Sequence, residues 1–401
     1  MKRIASMILI LGLLAALLSG CGGQTAAAPA DTEAPVSTET PAETEAPAEP
    51  EELQETEETE APAEAAQVFN FAEAEAAFAP ETTVMTIGNT PMDWTMYYGS
   101  IHQVLYELNS YYGISDLTQE LQEGLSVADW VKGWTEDYLT QLVMLHSKAA
   151  ELEITLSEED LAAIDQDIET QAETYFEGDK EALFEAMQIP EVLFRYQAEA
   201  ALLYDKLFAH FFGEDGSELS EADAVAYVVD SGYLYAKHIL WSFTDDEGNE
   251  LSDEEKDAKR AQAREVLDEL RATAAGELDS AFDRMMEHYT EDPGLTSYPD
   301  GYYFQTGQMV AVFEDAAMAL AEGELSELVE SDYGVHLLYR PAMHADHVFQ
   351  YDSSGSSYTL RTMAANGLFS NMCDEWMTQQ TVQYAEGFQD LDLTQLFSFS
   401  A

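Results

Sequence analysis

The chain has 401 residues, of which 78 are acidic and 16 are basic, and its formal net charge at pH 7 is -62. A charge of that sign and size excludes binding to the backbone of nucleic acids, which needs a basic surface. Only 13 of the acidic residues lie between Gln24 and Ala66, so most of the negative charge belongs to the rest of the chain. The folded part is therefore predicted to be soluble and to attract cations and basic peptides.

The first residues have the pattern of an export signal. Lys2 and Arg3 precede an apolar run over 4–18, which is shorter than the roughly 20 residues that a membrane-spanning helix needs. The run ends in Leu-Ser-Gly-Cys at Cys21, which resembles the lipobox of bacterial lipoproteins. The resemblance implies a signal peptide over 1–20 and a lipid on Cys21. An uncleaved anchor or an ordinary signal peptide is the alternative, and each of these interpretations predicts export.

The segment 21–67 consists of the cysteine that is predicted to carry the lipid and a tether rich in Ala, Pro, Thr and Glu. With almost no large apolar residues it cannot bury enough surface to offset the entropy of ordering, so we expect a disordered acidic tether. Cys373 is the one other cysteine, so no intramolecular disulfide is expected and a buried thiol is predicted.

Helices are predicted to dominate from Phe69 to 232. A strand over 83–87 precedes a helix that begins at Pro91, and further helices cover 130–152, 181–187 and 191–212. Ser157 with Asp160, and Ser220 with Asp223, predict capped helix starts. After Ser157 one face of the helix collects the apolar residues Leu161, Ile164, Ile168, Ala172 and Tyr175. The region is predicted to be a helical layer with a long amphipathic surface.

Strands and helices alternate from Tyr235 onward. The predicted order begins with a strand over 235–242, a helix that starts after Ser252 and a second helix that contains Phe282. A strand over 302–304, a helix over 312–320 and strands over 328–331 and 335–339 follow. A helix over 362–380 and a strand over 381–384 follow. The pattern indicates an α+β fold with a small mixed β-sheet flanked by helices.

Five short stretches of this region follow one another in an order that is typical of one protein family. They read YAKHILW, YTEDPG, GQMVAVFEDAAMAL, EGELSELV and DYGVHLLY, between Tyr235 and Arg340. In series they resemble a parvulin-type peptidyl-prolyl isomerase. The flanking stretches VMTIGNTPM, LHSKAAELEITLSEEDL and CDEWMTQQTVQYAEGF resemble the split chaperone domain of PrsA-type and SurA-type extracytoplasmic foldases.

The resemblance implies a domain organisation. A parvulin domain over 233–342 would be inserted in a mainly α-helical chaperone domain that is formed by 68–232 and by 343–401. A chain that leaves a domain and returns to it would place Val382 near the Val84 strand.

The resemblance also implies a site. In the family the first-strand and last-strand histidines, here His238 and His336, face each other under the substrate pocket. The third catalytic position falls on Asp292 and a hydroxyl in the penultimate strand falls on Ser331; turn formation by Asp-Pro-Gly is the alternative role for Asp292. The pocket for the proline ring maps to Met309 and Phe313. Two imidazoles can donate and accept protons in alternating tautomers, so the histidines are predicted to orient a polar network rather than to act as nucleophiles.

Residues 298–303 depart from the family pattern. Where many parvulins place a leucine in the pocket wall this chain has Gly301, and Tyr302 or Tyr303 is predicted to fill the gap and to contact substrate. Phosphate-directed relatives carry basic residues in the loop after the first strand, whereas this chain has acidic residues over 245–247. Preference for an acidic or phosphorylated residue before proline is therefore not expected.

The predicted function is an exported foldase that isomerises X-Pro bonds in unfolded or newly secreted polypeptides, at the outer face of the cytoplasmic membrane, without a cofactor or a metal. A homodimer is compatible with the sequence. The alternative is a holdase with a catalytically silent parvulin domain. A solute-binding lipoprotein would need repeated βαβ units, which the helical first half lacks. His344, Asp346 and His347 are metal-ligating types at close spacing without a further cluster, and the loop over 245–249 lacks EF-hand spacing.

Overall fold

The computed structural model describes residues 69–351 and 357–397. The predicted signal peptide, Cys21 and the tether lie outside the described residues. Within the described part, no helix combines the length and the apolar character that crossing a bilayer requires. The described residues form two compact units, one made of 69–207 and 370–397, the other of the described residues between Phe208 and Phe369.

Helices build most of the first unit. They are α1 (Phe71–Glu75), α2 (Trp94–Tyr112), α3 (Val127–Glu151), α4 (Glu158–Phe176), α5 (Lys180–Met187) and α6 (Glu191–Phe212), of which α6 continues into the second unit. Ser157 and Asp160 form the predicted capping box at the start of α4. Trp94, Ile101 and Leu142 are fully or almost fully buried in the core of this unit.

The start of α2 differs from the prediction. The helix begins at Trp94 because the Asp93 carboxylate accepts a hydrogen bond from the Met96 amide at 3.0 Å, which is the geometry of an N-cap. Pro91 lies instead in strand β2 (Thr90–Asp93), at the edge of a sheet where its missing N–H costs no ladder hydrogen bond.

The apolar face of α4 is only partly covered. Ile164, Ile168 and Ala172 are buried as predicted, whereas Leu161 and Tyr175 are 42% and 50% exposed. All five lie on one face, so the exposed pair differs by its position at the two ends of the helix rather than by its helical phase.

A three-stranded antiparallel sheet joins the two chain segments of the first unit. Its order is β11–β1–β2, with β1 at Thr83–Ile87 and β11 at Val382–Tyr384. Val382 lies opposite Ile87, next to the Val84 strand. A small hairpin, β3 (Glu120–Gln122) with β4 (Leu125–Ser126), was not predicted, because its strands are short and polar.

The second unit combines a sheet with helices, which confirms the α+β class. Its helices are α7 (Glu221–Asp230), α8 (Asp253–Ala272), α9 (Leu278–Tyr289), α10 (Ala311–Ala319) and the first part of α11 (Leu360–Thr378). Its strands are β5 (Leu234–Ser242), β6 (Tyr302–Phe304), β7 (Val329–Ser331), β8 (Gly334–Tyr339) and the hairpin of β9 (Val348–Tyr351) with β10 (Ser357–Thr359). The last helix of the fold is α12 (Leu393–Leu396), in the first unit, and Cys373 of α11 is buried as predicted.

The main sheet of the second unit has the order β6–β5–β8–β7, and every pair in it is antiparallel. The expectation of a mixed sheet is wrong in this respect. Helices α8 and α9 bring the chain back to the end of β5 that it left, where the Glu291 carboxylate accepts a hydrogen bond from the Ser242 amide at 2.8 Å. From there the chain runs towards the start of β5, and β6 therefore pairs antiparallel with Leu234–Ala236.

The two faces of this sheet carry different layers. Ile239, Trp241 and Leu337 pack with α8 and α9 on one face. On the other face Ala236 and Leu338 pack with α10. The register pairs His238 with Leu338 and Leu240 with His336, so both histidines point to the α10 face.

Candidate active site

Two buried histidines face each other from neighbouring strands. Nδ1 of His238 lies 3.3 Å from Nδ1 of His336, and the two rings are nearly parallel with centroids 5.5 Å apart. The residues are 8% and 4% exposed, so water screens their interaction weakly. The offset of two residues in the β5–β8 register therefore produces a direct imidazole pair.

The pair is the middle of a longer hydrogen-bonded relay. Nε2 of His238 lies 2.8 Å from Oδ2 of Asp292, and Nε2 of His336 lies 2.7 Å from Oγ of Ser331. We call Asp292, His238, His336 and Ser331 the histidine relay. The structure thus brings together all four residues that the sequence predicted as catalytic.

Asp292 serves the relay and a turn at the same time. Its Oδ1 accepts a hydrogen bond from the Gly294 amide at 3.0 Å and opens a short 3₁₀ turn, Pro293–Thr296, while Oδ2 faces His238. Because a carboxylate has two acceptor oxygens, the turn chemistry of Asp-Pro-Gly does not compete with the histidine contact.

The electrostatics fix which groups of the relay are charged. Burial acts to raise the pKa of Asp292, but the hydrogen bond and charge of His238, with the Tyr302 hydroxyl and the Gly294 amide, lower it to about 2. Burial, reinforced by His238 and opposed by Asp292, lowers the pKa of His336 to about 4. At neutral pH the relay holds an ionised Asp292 and a neutral His336.

The charge on Asp292 fixes one end of the relay. An ionised carboxylate can only accept, so the proton of its contact with His238 lies on Nε2. The contact between the two Nδ1 atoms can be donated from either ring, and the Ser331 hydroxyl can donate to Nε2 of His336 or accept from it. The relay can therefore carry its hydrogen bonds in either direction.

An apolar wall stands over the histidines. The Phe313 ring meets the His238 and His336 rings edge to face, with centroids 5.2 Å and 5.8 Å apart. Met309 is partly buried against the apolar cluster that contains Phe313. The sequence predicted a proline pocket at these two residues. A five-membered apolar ring that entered here would contact Phe313 and Met309 with the relay beside it.

Tyr302 and Tyr303 lie on opposite faces of the sheet. Tyr302 pairs with Ala236 and stands 5.4 Å from the His238 ring, centroid to centroid. Tyr303 instead stacks on Tyr235 at 4.2 Å, and its hydroxyl lies 2.7 Å from Nδ1 of His347. Since successive strand residues alternate in direction, only one of the two tyrosines can reach the histidine face, and it is Tyr302.

Comparison with known proteins identifies this region. Residues 238–342 match the family model of the PPIC-type PPIase domain, also described as rotamase. This segment is a parvulin-type domain. It contains the whole histidine relay, Met309, Phe313 and the two tyrosines of β6.

Curated relatives match mainly through this parvulin domain. Foldase protein PrsA of Geobacillus kaustophilus is 37% identical over 99 residues, which are 24% of this chain and 35% of that protein. A peptidyl-prolyl cis-trans isomerase Pin1 of Malus domestica is 29% identical over 99 residues, which are 25% of this chain and 78% of that protein. The chain thus spans about a third of the length of the PrsA relative.

Solved structures add a longer but weaker match. The crystal structure of PrsA from Bacillus cereus is 17% identical over 70% of this chain and 98% of that chain, with a TM-score of 0.30.

A buried glutamate in the parvulin domain was missed by sequence reasoning. Glu314 is 7% exposed, and its Oε1 accepts hydrogen bonds from the amides of Gly307 at 2.7 Å and Met309 at 2.9 Å. It therefore shapes the loop that presents Met309 to the pocket. The available signal was a charged residue directly after Phe313, in the first turn of a helix whose neighbours are apolar.

Replacing Glu314 by alanine is expected to loosen the Met309 loop. The amides of exposed Gly307 and half-buried Met309 lose their acceptor, which costs on the order of 1 kcal/mol each, and the apolar wall loses its fixed position. We expect a lower free energy of unfolding in urea and a higher KM for proline peptides. Asp315→Ala, at the exposed neighbouring position, is the matched control and should change neither quantity. Equal effects of the two substitutions would contradict the role of Glu314.

The three side chains of metal-ligating type over 344–347 each have a different partner. Nδ1 of His344 lies 3.4 Å from Glu221, Asp346 binds Arg361, and His347 meets Tyr303. Among the residues that the structure describes, no group of three or more His, Cys, Asp or Glu side chains is placed to hold a metal ion. The acidic loop after β5 closes on itself, with the Asp245 carboxylate accepting from the amides of Glu247 and Asn249.

Proposed function

We propose that this protein is a peptidyl-prolyl cis-trans isomerase that acts on X-Pro bonds of unfolded or newly secreted polypeptides. The observation that carries the proposal is the juxtaposition of the buried histidine relay with the apolar wall of Phe313 and Met309. The match of residues 238–342 to the isomerase family supports the same chemistry.

Cis-trans isomerisation requires stabilisation of a twisted amide. Rotation about a peptide bond meets a barrier of about 18–20 kcal/mol, because twisting removes the resonance between nitrogen and carbonyl. Lowering that barrier by roughly 7 kcal/mol accelerates the reaction by about 10⁵. No bond to the substrate has to form or break, so the protein needs a dry site that binds the twisted amide more tightly than the planar one.

The two parts of the site divide this task. The apolar wall binds the proline ring and disfavours the charge-separated planar amide, whose resonance form is stabilised by water. The relay offers polar groups whose direction of donation can reverse, and these groups can stabilise the changing charge on the amide during rotation. Ionised Asp292 fixes the orientation of His238 in this scheme.

Nucleophilic catalysis is the competing chemistry, because Ser331 and His336 lie at the distance of a nucleophile and its base. A general base works best with a pKa near the operating pH, whereas the pKa of His336 is lowered to about 4. The Ser331 oxygen also accepts a hydrogen bond from the Tyr333 amide. We therefore assign Ser331 to the relay and not to attack on a carbonyl.

The proposal extends to the rest of the chain. Residues 68–232 and 343–401 would act as the chaperone domain around a parvulin domain at 233–342, and the pairing of β1 with β11 supports a split domain of this kind. Lipidation of Cys21 would hold the protein at the outer face of the cytoplasmic membrane after export. A homodimer is part of this proposal, and light scattering of the purified protein would test it.

A tetrapeptide series tests the isomerase against the holdase. We expect the protein to accelerate cis-to-trans conversion of peptides with Ala, Lys or Glu before proline, with Glu slowest because residues 245–247 are acidic and exposed. The rates are measured by NMR exchange or by protease-coupled absorbance. No acceleration of any peptide, together with suppressed aggregation of an unfolded client, would replace the proposal by a holdase with a silent domain.

A further inference from the structure

We propose that Tyr302 is a positioning residue of the parvulin domain, which holds Asp292 and His238 in the geometry of the relay. The inference rests on the proposed isomerase function, but the effect of Tyr302 on the geometry of His238 can be tested without measuring activity. Tyr302 stands in the stretch 298–303 that departs from the family pattern, so the device belongs to this chain's own sequence.

The Tyr302 hydroxyl completes the shell of the carboxylate. It donates to Oδ2 of Asp292 at 2.6 Å, and the same oxygen faces Nε2 of His238 at 2.8 Å. Oδ1 is held by the Gly294 amide at 3.0 Å. With donors on both oxygens from three different parts of the chain, the carboxylate has one orientation available.

The tyrosine ring also shields this contact. It meets the His238 ring at 67° with centroids 5.4 Å apart, and the side chains of His238 and Asp292 are 9% and 14% exposed. A charge-assisted hydrogen bond that is kept from water is stronger and less mobile than an exposed one. Tyr302 therefore acts on His238 in two ways, through the carboxylate and through direct ring contact.

Two glycines make room for Tyr302. A Cβ on Gly294 would lie 1.9 Å from the Tyr302 hydroxyl oxygen, so a larger residue there would push the hydroxyl away from Asp292. Gly301 has φ +101°, and a Cβ there would lie 2.9 Å from the Ala236 carbonyl oxygen on β5. Glycine at both positions lets β6 start close to β5 with Tyr302 facing the relay.

The charges around Asp292 are consistent with a permanent donor. Burial, and then the hydrogen bond and charge of Asp292 with a smaller effect of Tyr298, raise the pKa of Tyr302, so its hydroxyl keeps its proton at neutral pH. The titratable groups that face Asp292 are His238 from β5, Tyr302 from β6 and, more distantly, His336 from β8.

Tyr302→Phe with Tyr303→Phe as its matched control tests the proposal. Each substitution removes one hydroxyl from β6, but only Tyr302 faces the relay. The eight histidines give a small set of ring N–H signals, and the His238 signal is assigned by its loss in His238→Ala. In Tyr302→Phe we expect its solvent exchange to rise about tenfold and kcat/KM for a proline peptide to fall about tenfold. Tyr303→Phe should alter the His347 signal alone.

A double-mutant cycle with Gly294→Ala adds a second test. The new methyl group should displace the hydroxyl in the parent protein, 1.9 Å away, but its further effect should be smaller in Tyr302→Phe, where the nearest ring atom, Cζ, lies 3.1 Å from the new Cβ. Additive effects would overturn the proposal, as would an unchanged His238 ring signal in Tyr302→Phe. If the parent protein proves inactive, the ring signals still decide the role of Tyr302, so failure of the isomerase proposal remains distinguishable.

Discussion

Replacement of both relay histidines, in His238→Ala with His336→Ala, is expected to lower kcat/KM for X-Pro isomerisation by roughly 10²- to 10³-fold. Polar groups that act on a transition state within a site contribute on this scale, and the double variant removes the centre of the relay. The Phe313 wall would still bind the proline ring, so we expect the loss mainly in kcat. The measurement is the rate of cis-to-trans conversion of a proline tetrapeptide over a range of concentrations.

His344→Ala is the control for this experiment. His344 belongs to the same compact unit, but its side chain is 63% exposed and it lies outside the relay. Its substitution should leave the rate unchanged. Near-ultraviolet circular dichroism shows whether the double variant remains folded. A folded double variant with the parent rate would remove the relay from the mechanism and leave the apolar wall as the source of catalysis.

The second large effect is a loss of stability in mild acid. The pKa of His336 is lowered from 6.5 to about 4, chiefly by burial and then by His238. Between these values the unfolded chain holds more protons than the folded chain, so the free energy of unfolding falls as the pH falls. For a shift of this size we expect a loss of about 2 kcal/mol between pH 7 and pH 5. Asp292, with its pKa lowered to about 2, extends the trend below pH 4.

This effect has to be measured for the second unit separately. The pKa of His102 in the first unit is also lowered by burial, to about 4, and it produces a similar trend there. Amide hydrogen exchange of β5 and β8, corrected for the intrinsic rate, reports the second unit at each pH. In His336→Gln the pH dependence of that protection should shrink by most of the expected amount, whereas His344→Gln should keep it. Equal slopes in the two variants would show that another group causes the acid sensitivity.

The sequence was sufficient for elements with strong local signals. The helix starts at Ser157, Ser220 and Ser252 follow from capping residues alone, and the structure confirms all three. Short polar segments, such as the hairpin of β3 and β4, lack an apolar period and could not be found that way. The start of α2 was misplaced because Pro91 and Asp93 are both residue types that begin helices. In the structure the Asp93 carboxylate caps the helix, which begins at Trp94.

The site was predictable as a set of residues but not as a geometry. The family motifs brought together His238, Asp292 and His336. Which of Tyr302 and Tyr303 faces the histidines depended on the register of the three-residue strand β6 on β5, which no local pattern specifies. The buried position of Glu314 depends likewise on how α10 packs over the sheet.

The pairing of β11 with β1 has a consequence for the time course of synthesis. Ile87 meets Val382, a residue made almost three hundred positions later, and β1 is the central strand of its sheet. At about 5–20 residues per second, translation leaves β1 without that partner for roughly 15–60 s. During this interval one side of β1 is an open edge, the kind of surface through which chains aggregate. Premature termination anywhere before β11 would leave the first unit with that edge permanently unpaired.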